Sequence, residues 1–306
     1  MKTLAKILLA GTLAIGGTLG LVSTLNPHKE KVSVKRQDIT SANKKLRDFP
    51  DKINGAKSVV KYETPGAKHT LVHLGQTHYI DMGKELSLEN IINTDIRYWN
   101  KIKDIYTNIN NCQKDIYDIL TELKEKQNIS NVRSEGVMLR DLDNLDNKEA
   151  LKEAYFSKLA ELDETGYFLE SIKYSFSVMN RLKPYVEANK PAPFYTMEKT
   201  LKKYNKAKQD FERFRYIGGA DILLAMENKL NLLPAETKKA YDNGDMNARE
   251  DALLQIVSKE NNPLELTVYG AKHNFKDNIE KWNKENPNNK YSLIEITPKN
   301  LYSDKK

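Results

Sequence analysis

Two hydrophobic periods divide the chain beyond its first seventy residues. Short apolar runs at 69–75, 264–269 and 291–296 have the length of buried strands. A further short strand is predicted over 131–137, carrying an acid, Glu135, followed by Gly136. Between these runs the apolar residues recur every three or four positions. From the cap residue Ser87 to about residue 127, Ile92, Ile96, Trp99, Ile102, Tyr106, Ile109, Cys112, Ile116, Ile119 and Leu123 form one helical stripe. Residues 147–187 and 196–215 repeat that period, with Pro184, Pro191 and Pro193 marking a break. Their aromatic and Met stripes read as core. Gly218 and Gly219 open a helix through residue 230, and further helices are predicted over 247–257 and 276–286. Strands alternating with helices predict an α/β fold with a mainly parallel or mixed central sheet and a large helical insertion at about 144–215.

The first 68 residues read differently. Residues 7–25 carry no charge and follow Lys2 and Lys6, which predicts a signal peptide or transmembrane anchor over 1–26. No clear small-x-small cleavage site follows, so an uncleaved apolar helix is the preferred form. This predicts a membrane-anchored or exported protein whose orientation the flanking lysines leave open. Residues 27–68 are polar and basic and read as a linker, with a short strand at about 58–62. The body then spans 69–306.

The net charge of +7 needs to be located. Residues 1–68 hold 13 Lys/Arg against 5 Asp/Glu, while 69–306 hold 36 against 37. A nearly neutral body argues against a nucleic-acid partner. The basic excess next to an apolar segment suits anionic lipid instead. The lone Cys112 excludes an internal disulfide and a cysteine zinc site, and its helical register makes it a small buried hydrophobe.

Chemistry is concentrated in a repeated pattern. Gly75-Gln76-Thr77-His78 and Gly270-Ala271-Lys272-His273 each put a glycine-enabled turn and then an imidazole just past a predicted strand. With 14 Gly and 5 His, about 0.2 such patterns are expected by chance, so two behind strands carry meaning. Open α/β sheets bind ligands beyond their strand ends. There His78, Glu135 and His273 would either hold a divalent metal ion of the Mn, Co or Zn type or work as acid and base groups. Arg249, at a helix start, would anchor an anionic or carbonyl group of the substrate, or serve only as helix-end chemistry with its acidic neighbours. The blander alternatives pair Glu135 with Arg133 or Arg140 and leave each histidine bonded to backbone. His69 and His73 share one strand face; both read as structural, with a supporting place behind the site as the alternative for His73.

At these residues the chain resembles the superfamily that joins TraB/PrgY pheromone-shutdown proteins, Tiki metalloproteases, erythromycin esterases and ChaN-like iron-regulated lipoproteins. The matches are Gly75 through His78, Glu135 before Gly136, Arg249 with Asp251, and Gly270 through His273. The resemblance implies an α/β sheet with inserted helices and, for its Tiki-like members, a divalent-metal hydrolase acting on a peptide or small-molecule ester. Its ChaN-like members imply a non-catalytic alternative that binds iron, haem or a peptide, with Tyr79 or Tyr269 as candidate haem ligands. The long insertion and the missing lipoprotein cysteine depart from the pattern.

Overall fold

The computed structural model describes residues 39–77, 96–138, 150–155 and 167–301. The amino-terminal segment, Ser87, Arg140 and the histidine of the first motif, His78, lie outside them.

Among the described residues, six strands form one mixed sheet in the order β1-β6-β2-β5-β3-β4. They are β1 (Ala56–Tyr62), β2 (His69–Gln76), β3 (Asn131–Met138), β4 (Asn231–Glu236), β5 (Leu264–Gly270) and β6 (Tyr291–Pro298). Only the β1–β6 pair is antiparallel; β2 pairs in parallel with both β5 and β6, and β3 with both β4 and β5. The edge strand β1 lies in the stretch that reads as a linker and covers the short strand anticipated near 58–62.

Both faces of the sheet are covered, which explains why β2 and β5 are buried almost end to end instead of alternating. On one face lie α1 (Ile39–Asp48), the long α2 (Ile96–Gln127) and α5 (Ala220–Met226). There Cys112, Ile116, Ile119 and Leu123 of α2 pack on Val72, Leu74, Leu266, Val268 and Ile294. Cys112 is fully buried, and that burial pushes its thiol pKa up, as expected of a packing residue. On the other face, α7 (Met246–Glu260) and α8 (Phe275–Glu285) set Leu253, Leu254, Val257, Phe275 and Ile279 against Leu71, Tyr269 and Leu293. The short α6 (Lys238–Asn243) joins β4 to α7. The insertion holds a hairpin of α3 (Tyr167–Glu187) and α4 (Met197–Glu212).

Besides α1, which lies in the stretch read as a linker and puts Leu46 in the core, and the short α6, one strand departs from the expected pattern. The helix opening at Gly219 stops at Met226, and residues 231–236, which carry no strand prediction, form edge strand β4. Pro234 hides it in the sequence, because proline cannot donate to a ladder; an edge strand tolerates that loss.

Gly55, just before β1, has φ +87°, and a Cβ there would lie 2.6 Å from the Asp115 carbonyl oxygen of α2. Gly55→Ala is therefore expected to cost about 2–3 kcal/mol from backbone strain and displacement of α2. Urea unfolding checks this; a cost below ~0.5 kcal/mol would show that α2 yields freely.

Candidate active site

The carboxyl ends of four adjacent strands, β2, β5, β3 and β4, bring the chemistry together. Gly75 and Gln76 pair in register with Tyr269 and Gly270, so the two glycine-led motifs are neighbours in the sheet. The Ala271 amide donates to the Gln76 carbonyl at 2.9 Å. A Cβ on Gly75 would stand 3.2 Å from that of Ala271, so glycine lets the motifs approach closely. His78 lies outside the described residues.

Glu135 lies in β3 just past its ladder with β5 and accepts two short bonds. Its Oε2 takes the Gly270 amide at 2.6 Å, and its Oε1 takes Nη2 of Arg249 at 2.6 Å. The sequence alternative of an Arg133 partner is not what the fold makes. Arg133 is fully buried and holds Glu265 through Nε at 3.0 Å, Glu260 through Nη2, and the Pro234 carbonyl through Nη1.

Arg249 lies in the first turns of α7, whose start is fixed by the Asp245 cap and the left-handed Gly244. From there its guanidinium joins Glu135 to Glu236, the last residue of β4. Glu236 Oε1 also accepts the Tyr269 hydroxyl at 2.8 Å and the Gly136 amide at 3.3 Å. Burial, then the charges of Glu236 and Glu135, pushes the Tyr269 pKa far up, so this phenol stays protonated and donates. Arg249 is thereby held by two carboxylates.

His273 stands 3.6 Å through Nε2 from Glu135 Oε1 and hydrogen-bonds through Nδ1 to Glu250 Oε1 at 2.8 Å. The same Glu250 oxygen accepts the Asn274 amide at 3.0 Å, fixing the turn into α8 together with the ring. Tyr269 packs edge-on against the imidazole at 4.6 Å. Burial alone would lower the His273 pKa, but the hydrogen bonds and charges of Glu135 and Glu250 outweigh it and raise the pKa to about 9. The ring is an imidazolium at neutral pH.

No known protein-family model, curated protein or solved structure matches this chain. The reading of the site therefore rests on its geometry.

His273, Glu135 and Arg249, anticipated from sequence, do meet. Two partners were missed. Glu250 points inward, whereas its neighbour Asp251, singled out by the motif pattern, faces Asn278 and Lys281 on α8. The signal was the helical period, which turns Glu250 with Leu253 and Leu254 toward the sheet. Glu236 was missed because β4 was missed. His73 behaves as the structural reading expects: it is buried beneath Phe275 at 4.9 Å, and desolvation lowers its pKa to about 4. His69 likewise bonds to the Asn262 carbonyl.

Three carboxylates (Glu135, Glu236, Glu250) thus face one guanidinium and one imidazolium. Glu236 Oε2 and Glu250 Oε2 have no hydrogen-bond partner among the described residues, so the cluster retains acceptor capacity. Among the described residues, no three His, Cys, Asp or Glu side chains gather as metal ligands. Glu135 is committed to Arg249 and Gly270, and the guanidinium repels a cation from the same oxygen.

Proposed function

We propose that this chain is a hydrolase of a peptide or small-molecule ester bond, working at the rim made by Glu135, Arg249, Glu250 and His273. The observation that carries the reading is the Glu250–His273–Glu135 line. A carboxylate fixes one ring nitrogen, and the other ring nitrogen faces the rim, which is the geometry of an oriented proton carrier.

At neutral pH the imidazolium of His273 supplies the acid: its Nε2–H donates to the departing amine or alkoxide oxygen as the bond to the acyl carbon breaks. Glu250 holds the ring and stabilises its positive state. Arg249 keeps Glu135 ionised and fixed, and Glu135 in turn holds the Gly270 amide. His78, two residues beyond Gln76, is assigned the complementary base that takes a proton from water. The burial of Glu135, Glu236, Glu250 and His273 supports the proposal, because proton transfer gains strength where bulk water is excluded.

A second reading is a divalent metal ion held by His78, Glu135 and His273, which would polarise the carbonyl and lower the pKa of bound water. The Glu250 contact favours it, since ligating imidazoles are commonly oriented in this way through the second nitrogen. It requires Arg249 to release Glu135. In either form the body is taken to act at a membrane or after export, through residues 7–25.

The test is hydrolysis of nitrophenyl esters and fluorogenic peptides by the purified chain and by His273→Asn. A loss of about 100-fold or more with unchanged thermal unfolding is expected. Cleavage that survives in the variant, or no cleavage of either class, overturns the proposal. Activity abolished by a chelator and restored by Mn, Co or Zn selects the metal form over the acid–base form.

A further inference from the structure

We propose that the α3–α4 hairpin is a docking surface for an anionic lipid headgroup layer, with Phe194 at its tip entering the interface. This is independent of the hydrolytic reading.

The hairpin carries its own small core of Val178, Leu182, Ala192 and Ala207, closed by the Phe176–Phe211 ring pair at 5.1 Å. The two helices therefore need no further partner to bury their apolar stripes, and their outer faces remain in solvent. Those faces are basic. The hairpin, residues 167–212, holds 9 Lys/Arg against 5 Asp/Glu, whereas the rest of 69–306 holds 27 against 32. A body that is neutral in sum is thus polarised, with a net positive hairpin and a net negative remainder. On α4, Lys199, Lys202, Lys203, Lys206 and Lys208 are all exposed, and none is ion-paired among the described residues. A solvated helix usually interleaves acids three or four positions away, as α2 does with Lys114–Asp118 and Lys126–Glu122. On α4 acids do stand four positions from Lys202 (Glu198), Lys206 (Asp210) and Lys208 (Glu212), yet none of them closes an ion pair with its lysine among the described residues.

The tip adds an apolar component. Between Pro191 and Tyr195 the chain turns sharply, and Phe194 is 103% exposed at φ +65°, a conformation that bulky residues rarely adopt. Behind it, Lys203 lies 4.5 Å over the Tyr195 ring and bonds its hydroxyl at 3.0 Å, and Arg181 adds its positive field there. One exposed ring at an apex, backed by lysines, is the arrangement of an interfacial anchor on anionic lipid. A single-stranded nucleic-acid surface instead interleaves several stacking aromatics along a groove. Lysine over arginine also suits a fluid array of headgroups, which needs point charges more than bidentate forks.

The test uses the full chain carrying Phe194→Trp, reconstituted into vesicles of phosphatidylcholine alone or with phosphatidylserine, each containing brominated acyl chains. Quenching of the added tryptophan, read against the unsubstituted chain, is expected only with phosphatidylserine. It should be reversed by high salt, and the docked-to-free ratio should fall about 100-fold in the Lys199→Gln/Lys202→Gln/Lys203→Gln variant. Those lysines are exposed, and the salt titration reads the same electrostatics without any substitution. Equal quenching in both vesicle types overturns the proposal, as does quenching insensitive to salt. Emission that responds to single-stranded nucleic acid but not to phosphatidylserine also overturns it, in favour of a nucleic-acid surface.

Discussion

Replacing Arg249 with leucine is expected to destabilise the folded chain by about 3–5 kcal/mol. The guanidinium is the cation shared by Glu135 and Glu236, both nearly sealed from solvent. Its removal takes the shared cation from two carboxylates buried beside the Tyr269 ring, while the Gly270 and Gly136 amides and the Tyr269 hydroxyl still donate to them. Arg249→Leu combined with Glu236→Gln should recover part of the loss, because a neutral amide still accepts from Tyr269 without needing a cation. The deficit should also shrink in acid, where the stranded carboxylates take up protons. Urea unfolding followed by tryptophan fluorescence at neutral and acid pH reads all three effects. A change below ~1 kcal/mol would place the cluster in effectively solvated surroundings and remove the case for a water-excluded rim.

The fold was legible wherever one hydrophobic period ran unbroken. The continuous apolar run of β2 and the three-and-four spacing from Tyr106 to Leu123 leave little choice of element or partner. Legibility failed at β4, where Pro234 breaks the pattern and an edge position permits it. That single omission removed Glu236 from view and left Arg249 looking like a free clamp. The structure shows instead a side chain already held by two acids.

The site was half legible for a related reason. Spacing places a residue at a strand end but does not say what faces it from another element. Glu135 and His273 were readable because one lies within its own strand and the other just past its own. Their partners Arg249 and Glu250 come from a helix, and adjacent positions on a helix point about 100° apart. Asp251 and Glu250 are both acids at a helix start, and only tertiary packing decides that Glu250 meets the imidazole while Asp251 clamps α8 through Asn278 and Lys281.

Glu250→Gln separates orientation from charge, and it is the sharpest probe of how His273 works. The amide oxygen can still accept from Nδ1 and from the Asn274 amide, so the ring stays placed while one of its two counter-charges is lost. In the unsubstituted chain the His273 pKa stands near 9, above the usual 6.5. The folded-state value is the raised one, so the stability this group contributes is complete below about pH 6.5 and is lost as pH rises through 9. The size of that loss is roughly 3 kcal/mol. His273→Asn should flatten this alkaline loss, and Glu250→Gln should bring its midpoint down toward neutrality. Hydrolysis should follow the same group. If the imidazolium is the acid, activity falls as pH rises through 9, and in Glu250→Gln that limb moves to lower pH while the ester substrate binds as before. The reduction at pH 8 should then reach about tenfold or more, with most of it recovered by assay at acid pH. A structural role for Glu250 alone would lower activity evenly at every pH, and an unmoved alkaline limb would show that His273 does not carry the transferred proton.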